Sequence, residues 1–168
     1  MNKFDAAAFC GGTNSMAYRY LGAHPARTGG KEGYRFRVWA PNAAHVSVVG
    51  DFCDWNGYAH PMQRNGDGIW ETFVPGVRQY DTYKYAVTSR QGRTVLKTDP
   101  YAFHTETRPG NAGKLYDLRG YRWHDQAWRA SRADEPVYEK PLNIYEVHLG
   151  SWRRRENGDF YDYRTLAR

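Results

Sequence analysis

The sequence predicts an all-β sandwich over residues 31–120, and three observations lead there. Segments in which apolar and polar residues alternate recur at short spacing. The breaks between them are "NGDG" (65–68), "RQG" (90–92) and "RPGNAG" (108–113), the Gly, Pro and Asn punctuation of a sandwich rather than helix connections. The chain also holds 6 Trp, 14 Tyr and 7 Phe in 168 residues, and rings fill the core of a β-rich domain before they serve any ligand.

Taken in order, residues 1–30 form a lead-in. "FDAAAFCGG" (4–12) reads as a short helix stopped by Gly11 and Gly12, and "HPARTGGKEG" (24–33) as a loop by composition. "YRFRVWA" (34–40) sets Tyr34, Phe36, Val38 and Ala40 against Arg35, Arg37 and Trp39, and "HVSVVGDF" (45–52) follows after a short connection, so two strands are expected. Further strands are predicted at "IWETFV" (69–74), "DTYKYAVTS" (81–89), "RTVLKT" (93–98) and "KLYDL" (114–118). Residues 121–141 are a polar linker with one short helix. In "NIYEVHL" (143–149) the apolar residues are interrupted by Glu146 and His148, a pattern that fits a strand covered on both faces. The turn "RRRENGDF" (153–160) and a helix opened by Asp162 or Tyr163 come next. A doubly covered strand needs neighbours that so few remaining residues do not supply, so the chain is expected to be a fragment.

Composition narrows the function classes. A net charge of +6, with one dense cluster at Arg153, Arg154 and Arg155, is not accompanied by a helix-turn-helix, zinc-finger or stacking-platform pattern, which argues against a nucleic-acid partner. Cys10 and Cys53 are far apart and outside any C-x-x-C pair, so free thiols in a reducing compartment are expected. No apolar run reaches the length of a membrane span, and the start has no long apolar stretch of a secretory signal. A soluble, cytoplasmic protein with no membrane partner is the expectation.

The titratable residues Asp51, Asp54, Glu71, Asp99, Glu146, His60, His104 and His148 fall into no metal-ligand spacing, triad or carboxylate dyad. No catalytic set and no metal site is therefore assigned in this chain. His148 reads as a hydrogen-bonded structural residue, or else as part of a site in a larger fold. "GDFCDWN" (50–56) ends a strand in turn-forming residues and carries Trp55 at or near a loop. Trp55 has two readings there: a partly buried cap over the sandwich edge, or a flat platform for the apolar face of a pyranose ring. Lys84 in "YKYAV" lies opposite Tyr83 and Tyr85 in a period-two strand and points to solvent or to a ligand.

Eight segments together resemble one family. "YRYLGAHP" (18–25), "YRFRVWAPNAAHVSVVGDFCDWN" (34–56), "HPM" (60–62), "GIWETFVPGV" (68–77), "YKYAV" (83–87), "LKTDPYAF" (96–103), "RPGNAGKLYDL" (108–118) and "LNIYEVHLGSWRR" (142–154) occur in the order found in the N-terminal part of bacterial glycogen branching enzymes of the α-amylase superfamily. The "RVWAP" to "KLYDL" block resembles the immunoglobulin-like family 48 carbohydrate-binding module. The resemblance implies that residues 142–168 begin a (β/α)8 barrel with "NIYEVHL" as its first strand, truncated before the strands that carry the catalytic carboxylates. It implies a parent enzyme that cleaves α-1,4 links by a retaining mechanism and passes the glucan to a 6-hydroxyl, with no cofactor, while this chain alone is inactive. The implied partners are α-1,4-glucan (glycogen, amylose or maltooligosaccharide) and the catalytic barrel of the same full-length chain. In glycan-binding relatives two tryptophans and a lysine hold the sugar. Trp55 and Lys84 stand where one Trp and the Lys would be, but the second Trp position falls on or beside Leu96, which implies weak binding or a domain that mainly braces the barrel. The rival expectation is a free-standing glycan-binding or scaffold module without activity.

Overall fold

The computed structural model describes residues 4–133, 137–139 and 141–168, which divide into two compact units, 1–121 and 122–168. The first is built of nine strands in two antiparallel sheets. β1 (Gly22–Thr28), β2 (Lys31–Trp39), β5 (Ile69–Pro75) and β4 (Gln63–Arg64) form one sheet in the order β1-β2-β5-β4. The other has the order β3-β6-β9-β8, with β3 (Ala43–Gly50), β6 (Thr82–Ser89), β8 (His104–Thr105) and β9 (Gly113–Lys114). β7 (Thr94–Lys97) also pairs with β6, along residues 85–88, while β9 takes positions 82 and 83. β2 and β3, consecutive in sequence, lie in different sheets, so residues 40–42 carry the chain from one layer to the other.

The alternation legible in the sequence sets the layers. Tyr34, Phe36 and Val38 of β2, with Trp70 and Val74 of β5, face Val46 and Val48 of β3 and Tyr83 and Tyr85 of β6, and all are buried. Each such side chain contributes about 1.5–3 kcal/mol when fully withdrawn from water. Polar atoms inside are paired: Trp70 Nε1 donates to the Ala40 carbonyl at 2.9 Å. Asp99, also buried, accepts from the Tyr83 hydroxyl at 2.7 Å, the Tyr85 hydroxyl at 3.2 Å and the Tyr101 amide at 2.8 Å. Burial pushes the Asp99 carboxyl above the usual carboxylate range despite those bonds.

Three expectations change. "HPARTGGKEG" is not a loop: Gly29 and Gly30 both have positive φ (58° and 77°) and close a two-residue hairpin between β1 and β2. Pro25 is tolerated because β1 is an edge strand. The sandwich thus begins at residue 22, inside the expected lead-in. The short helix expected at 4–12 is present as α1 (Ala6–Cys10), capped by Asp5, and beyond it Leu21 and Ala17 pack on Ile69. "KLYDL" is a strand only at Lys114, because Asp117 accepts the Arg119 amide and turns the chain into a 3₁₀ turn over Leu118–Gly120.

In the second unit α2 (Gln126–Ala133) is the expected linker helix. Residues 142–148 form no strand; α3 (Leu149–Trp152) starts where the strand was to end. No segment among the described residues pairs with 142–148, so its backbone gains no ladder, and Ile144 is 83% exposed. His148 precedes α3, its Nδ1 2.7 Å from Ser151 Oγ. α4 (Tyr163–Leu166) is opened by Asp162, as expected.

Candidate functional site

The outward face of the β3-β6-β9-β8 sheet brings together Trp55 and Lys84, whereas Glu71 lies on the other sheet and Asp99 in the core. β3 ends at Gly50, where a Cβ would meet the Thr82 carbonyl at 2.1 Å, so only glycine fits. The chain then makes a 3₁₀ turn over Asp51–Cys53 and passes through Asp54 and Trp55, both left-handed at φ 49° and 58°. Two successive non-glycine residues in this region are strained by about 1–3 kcal/mol each, and the surroundings hold them. Trp55 N donates to the Gly50 carbonyl at 3.0 Å, and its indole Nε1 donates to Asp51 Oδ1, also at 3.0 Å. Asp51 Oδ2 accepts the Thr82 hydroxyl at 2.5 Å, which ties the loop to β6. The Trp55 side chain is thereby fixed at its polar edge, and the residue is 38% exposed.

Lys84 and Thr82 lie two positions apart on β6, on the face opposite the buried Tyr83 and Tyr85. Lys84 Nζ donates to Asn111 Oδ1 at 2.5 Å, and the Asn111 carbonyl accepts from Thr98 Oγ1, also at 2.5 Å. Leu96 is the register partner of Ala86, so it stands on the same face, diagonal to Lys84 and 52% exposed. The structure therefore brings Trp55, Lys84 and the Leu96 position onto one face. Sequence reasoning missed Asn111 and Thr82. Asn111 sits in "RPGNAG", whose composition signals only a turn, and its partner is 27 residues away; Thr82 was submerged in a strand pattern.

An indole fixed at its edge, a lysine held by an amide and neighbouring hydroxyls can stack on a flat apolar surface and exchange hydrogen bonds with hydroxyl groups. The face offers neither a paired carboxylate nor an activated nucleophile. Among the described residues no group of three His, Cys, Asp or Glu side chains is placed to hold a metal ion, and no helix is long and apolar enough to cross a membrane. Cys10 and Cys53 are unbridged.

Comparison with known proteins places the chain in a family. Residues 20–102 match the family model of carbohydrate-binding module 48, described as the isoamylase N-terminal domain. The chain is 49% identical, over 98% of its length, to a 1,4-alpha-glucan branching enzyme of Halothermothrix orenii, of which it covers 26%. It is 44% identical over 97% of its length to that of Bacillus subtilis, again covering 26%, and 51% identical over 88% to that of Deinococcus radiodurans, covering 21%. The chain thus spans about a quarter of these relatives' length. Among solved structures, the pullulanase of Bacillus acidopullulyticus aligns over 59% of this chain and 12% of its own, with 30% identity and a TM-score of 0.48. A maltotriose complex of a Klebsiella pneumoniae pullulanase aligns over 61% and 11%, with 31% identity and a TM-score of 0.48.

Proposed function

We propose, from the premise that this chain belongs with the bacterial 1,4-α-glucan branching enzymes and that residues 20–102 are its carbohydrate-binding module 48 domain, that the face around Trp55, Lys84 and Asn111 holds α-1,4-glucan for that enzyme. The complete protein cleaves an α-1,4 link with retention and passes the glucan to a 6-hydroxyl, forming the α-1,6 branches of glycogen in the cytoplasm. The sandwich is immunoglobulin-like, and residues 142–168 are the start of the catalytic barrel, whose first strand, 143–149, pairs only when later strands are present. A free-standing glycan module is the weaker reading, because the similarity runs over 98% of the chain and not over the module alone.

The observation that carries glucan binding is the fixation of Trp55: its Nε1–H is committed to Asp51, so the ring is positioned on the face that also bears Lys84 and Asn111. Leu96, where a second ring would stand, favours weak binding and leaves bracing of the barrel as the second reading. Titration of the chain with maltoheptaose, following the Trp55 indole signal by NMR, separates the two. Binding near 1 mM, equivalent to about 4 kcal/mol, is expected to shift that signal. Trp55→Ala should abolish binding with little change in Tm. No shift at several millimolar sugar, or a loss of about 3–5 kcal/mol of stability on Trp55→Ala as for a buried Trp, would leave the bracing role.

A further inference from the structure

Beyond Trp55 and Lys84, the same sheet face carries a cluster of three rings. Tyr80, His104 and Tyr116 lie within 5.6–5.8 Å of one another, centroid to centroid. Tyr80 is 53% exposed and holds a left-handed backbone at φ 75°, unusual for an aromatic residue. Its amide donates to the Leu115 carbonyl at 2.8 Å, which keeps the strained residue in place. Strain of this kind persists where the surroundings impose it, and it gathers at functional positions.

The register makes the cluster continuous with the Trp55 face. Thr82, whose hydroxyl donates to the carboxylate that anchors Trp55, is directly opposite Lys114, and Lys114 is directly opposite His104. Directly paired residues share a sheet face. Two strand spacings across and two residues along β6 separate His104 from Lys84, a distance of roughly 12 Å. The polar groups suit a neutral polyol. His104 Nδ1 lies 2.9 Å from the Thr105 carbonyl, an acceptor only, so Nδ1 carries the proton and Nε2 of the neutral ring is an acceptor. Lys114 supplies a donor beside it, and the tyrosine hydroxyls serve as either.

We propose that Tyr80, His104 and Tyr116, with Lys114, form a second sugar platform that takes the far end of an α-glucan chain already seated at Trp55 and Lys84. The proposal rests on the glucan reading of the Trp55 face. One chain crossing both platforms converts the second contact into an intramolecular one, so affinity rises with chain length once both are spanned. The second platform also supplies a ring that Leu96 does not.

The test is a titration of the 168-residue chain with maltotriose and with maltodecaose, following the Trp55 indole and the ring signals of Tyr80, Tyr116 and His104 by NMR. Both sugars are expected to shift Trp55, and maltodecaose alone to shift the three rings, with an affinity about tenfold or more above maltotriose, as one added stacking platform provides. Tyr80→Gly suits a positive φ, so it removes the ring without straining the fold. It should abolish most of the length dependence and leave maltotriose binding unchanged. Trp55 shifts with equal affinity for the two sugars, and ring signals that never move, would overturn the second platform while the glucan reading stands. Silence at Trp55 with either sugar would remove the glucan reading itself.

Discussion

The two sheets of the sandwich turn similar residues outward and come to opposite ends. On the β1-β2-β5-β4 sheet, Arg37 lies 4.1 Å over the Tyr20 ring, and Arg35 and Arg37 share the Glu71 carboxylate. Residues 4–21 fold back over this face, with Phe4 stacked on Tyr20 at 4.5 Å and Leu21 packed on Ile69. On the other sheet, Trp55, Lys84 and Asp51 offer the same ingredients, a ring, a cation and a carboxylate, and stay at the surface. A ring beside a cation is thus no signature of a binding site; what decides is whether another segment of the chain lies over it.

The covered face should break most sharply. Leu21→Ala removes a side chain with no exposed surface from under the N-terminal segment and is expected to destabilise the first unit by about 2–5 kcal/mol, read from the urea midpoint. A loss under about 1 kcal/mol would mean that the segment rests on the sheet without supporting it.

Glu71→Gln is expected to have a smaller effect, about 1–3 kcal/mol at neutral pH, because charge-assisted bonds to two guanidiniums are lost. The effect has a definite pH dependence. Burial pushes the Glu71 carboxyl up, but the Arg37 and Arg35 guanidiniums outweigh it and hold the carboxyl below its ordinary value of 4.5. A carboxylate with a lowered folded-state pKa stabilises fully above the unfolded value, and that stability is lost as pH falls through the folded one. The gap between the variant and the parent should therefore narrow in urea titrations as pH falls below 4.5, whereas a gap independent of pH would mean that shape rather than charge matters at position 71.

Least disruptive to the fold, and most telling for the open face, is Leu96→Trp. The site is half exposed, so stability should change by less than about 0.5 kcal/mol, while affinity for maltoheptaose rises about tenfold if a ring diagonal to Lys84 stacks on sugar. Unchanged affinity would show that the glucan path does not pass over β7.

The contrast also explains what was legible in the sequence. Period-two alternation in Tyr34–Phe36–Val38 and in Tyr83–Lys84–Tyr85 gave the layers and the outward direction of Lys84, since a strand's two faces are written into successive residues. The Gly-Asp-Asn context placed Trp55 at a turn. Arg37 was misleading: period two puts it outward, yet it is buried, because the segment that covers it comes from residues 4–21. Pro25 and the Gly29–Gly30 pair read as loop because the same residues serve a loop and an edge hairpin. Asn111 and the Tyr80–His104–Tyr116 cluster depend on pairing across β8 and β9, two strands of two residues each, too short to leave a periodic signal. The 143–149 segment keeps the apolar pattern of a strand, but pattern alone cannot supply a pairing partner.

One edge of β6 is divided between two partners, β9 at positions 82 and 83 and β7 at positions 85–88. The residues between β7 and β9 therefore leave the strand and return to it at neighbouring points, carrying Asn111 and the β8 arm outside the main ladder. Such an excursion can lengthen, shorten or exchange its side chains while the β3–β6 pairing and the core beneath remain intact. An engineer can therefore vary the exposed residues 107–109 with little risk to the scaffold, whereas the buried Asp99 and Ala112 of the same excursion have to be kept.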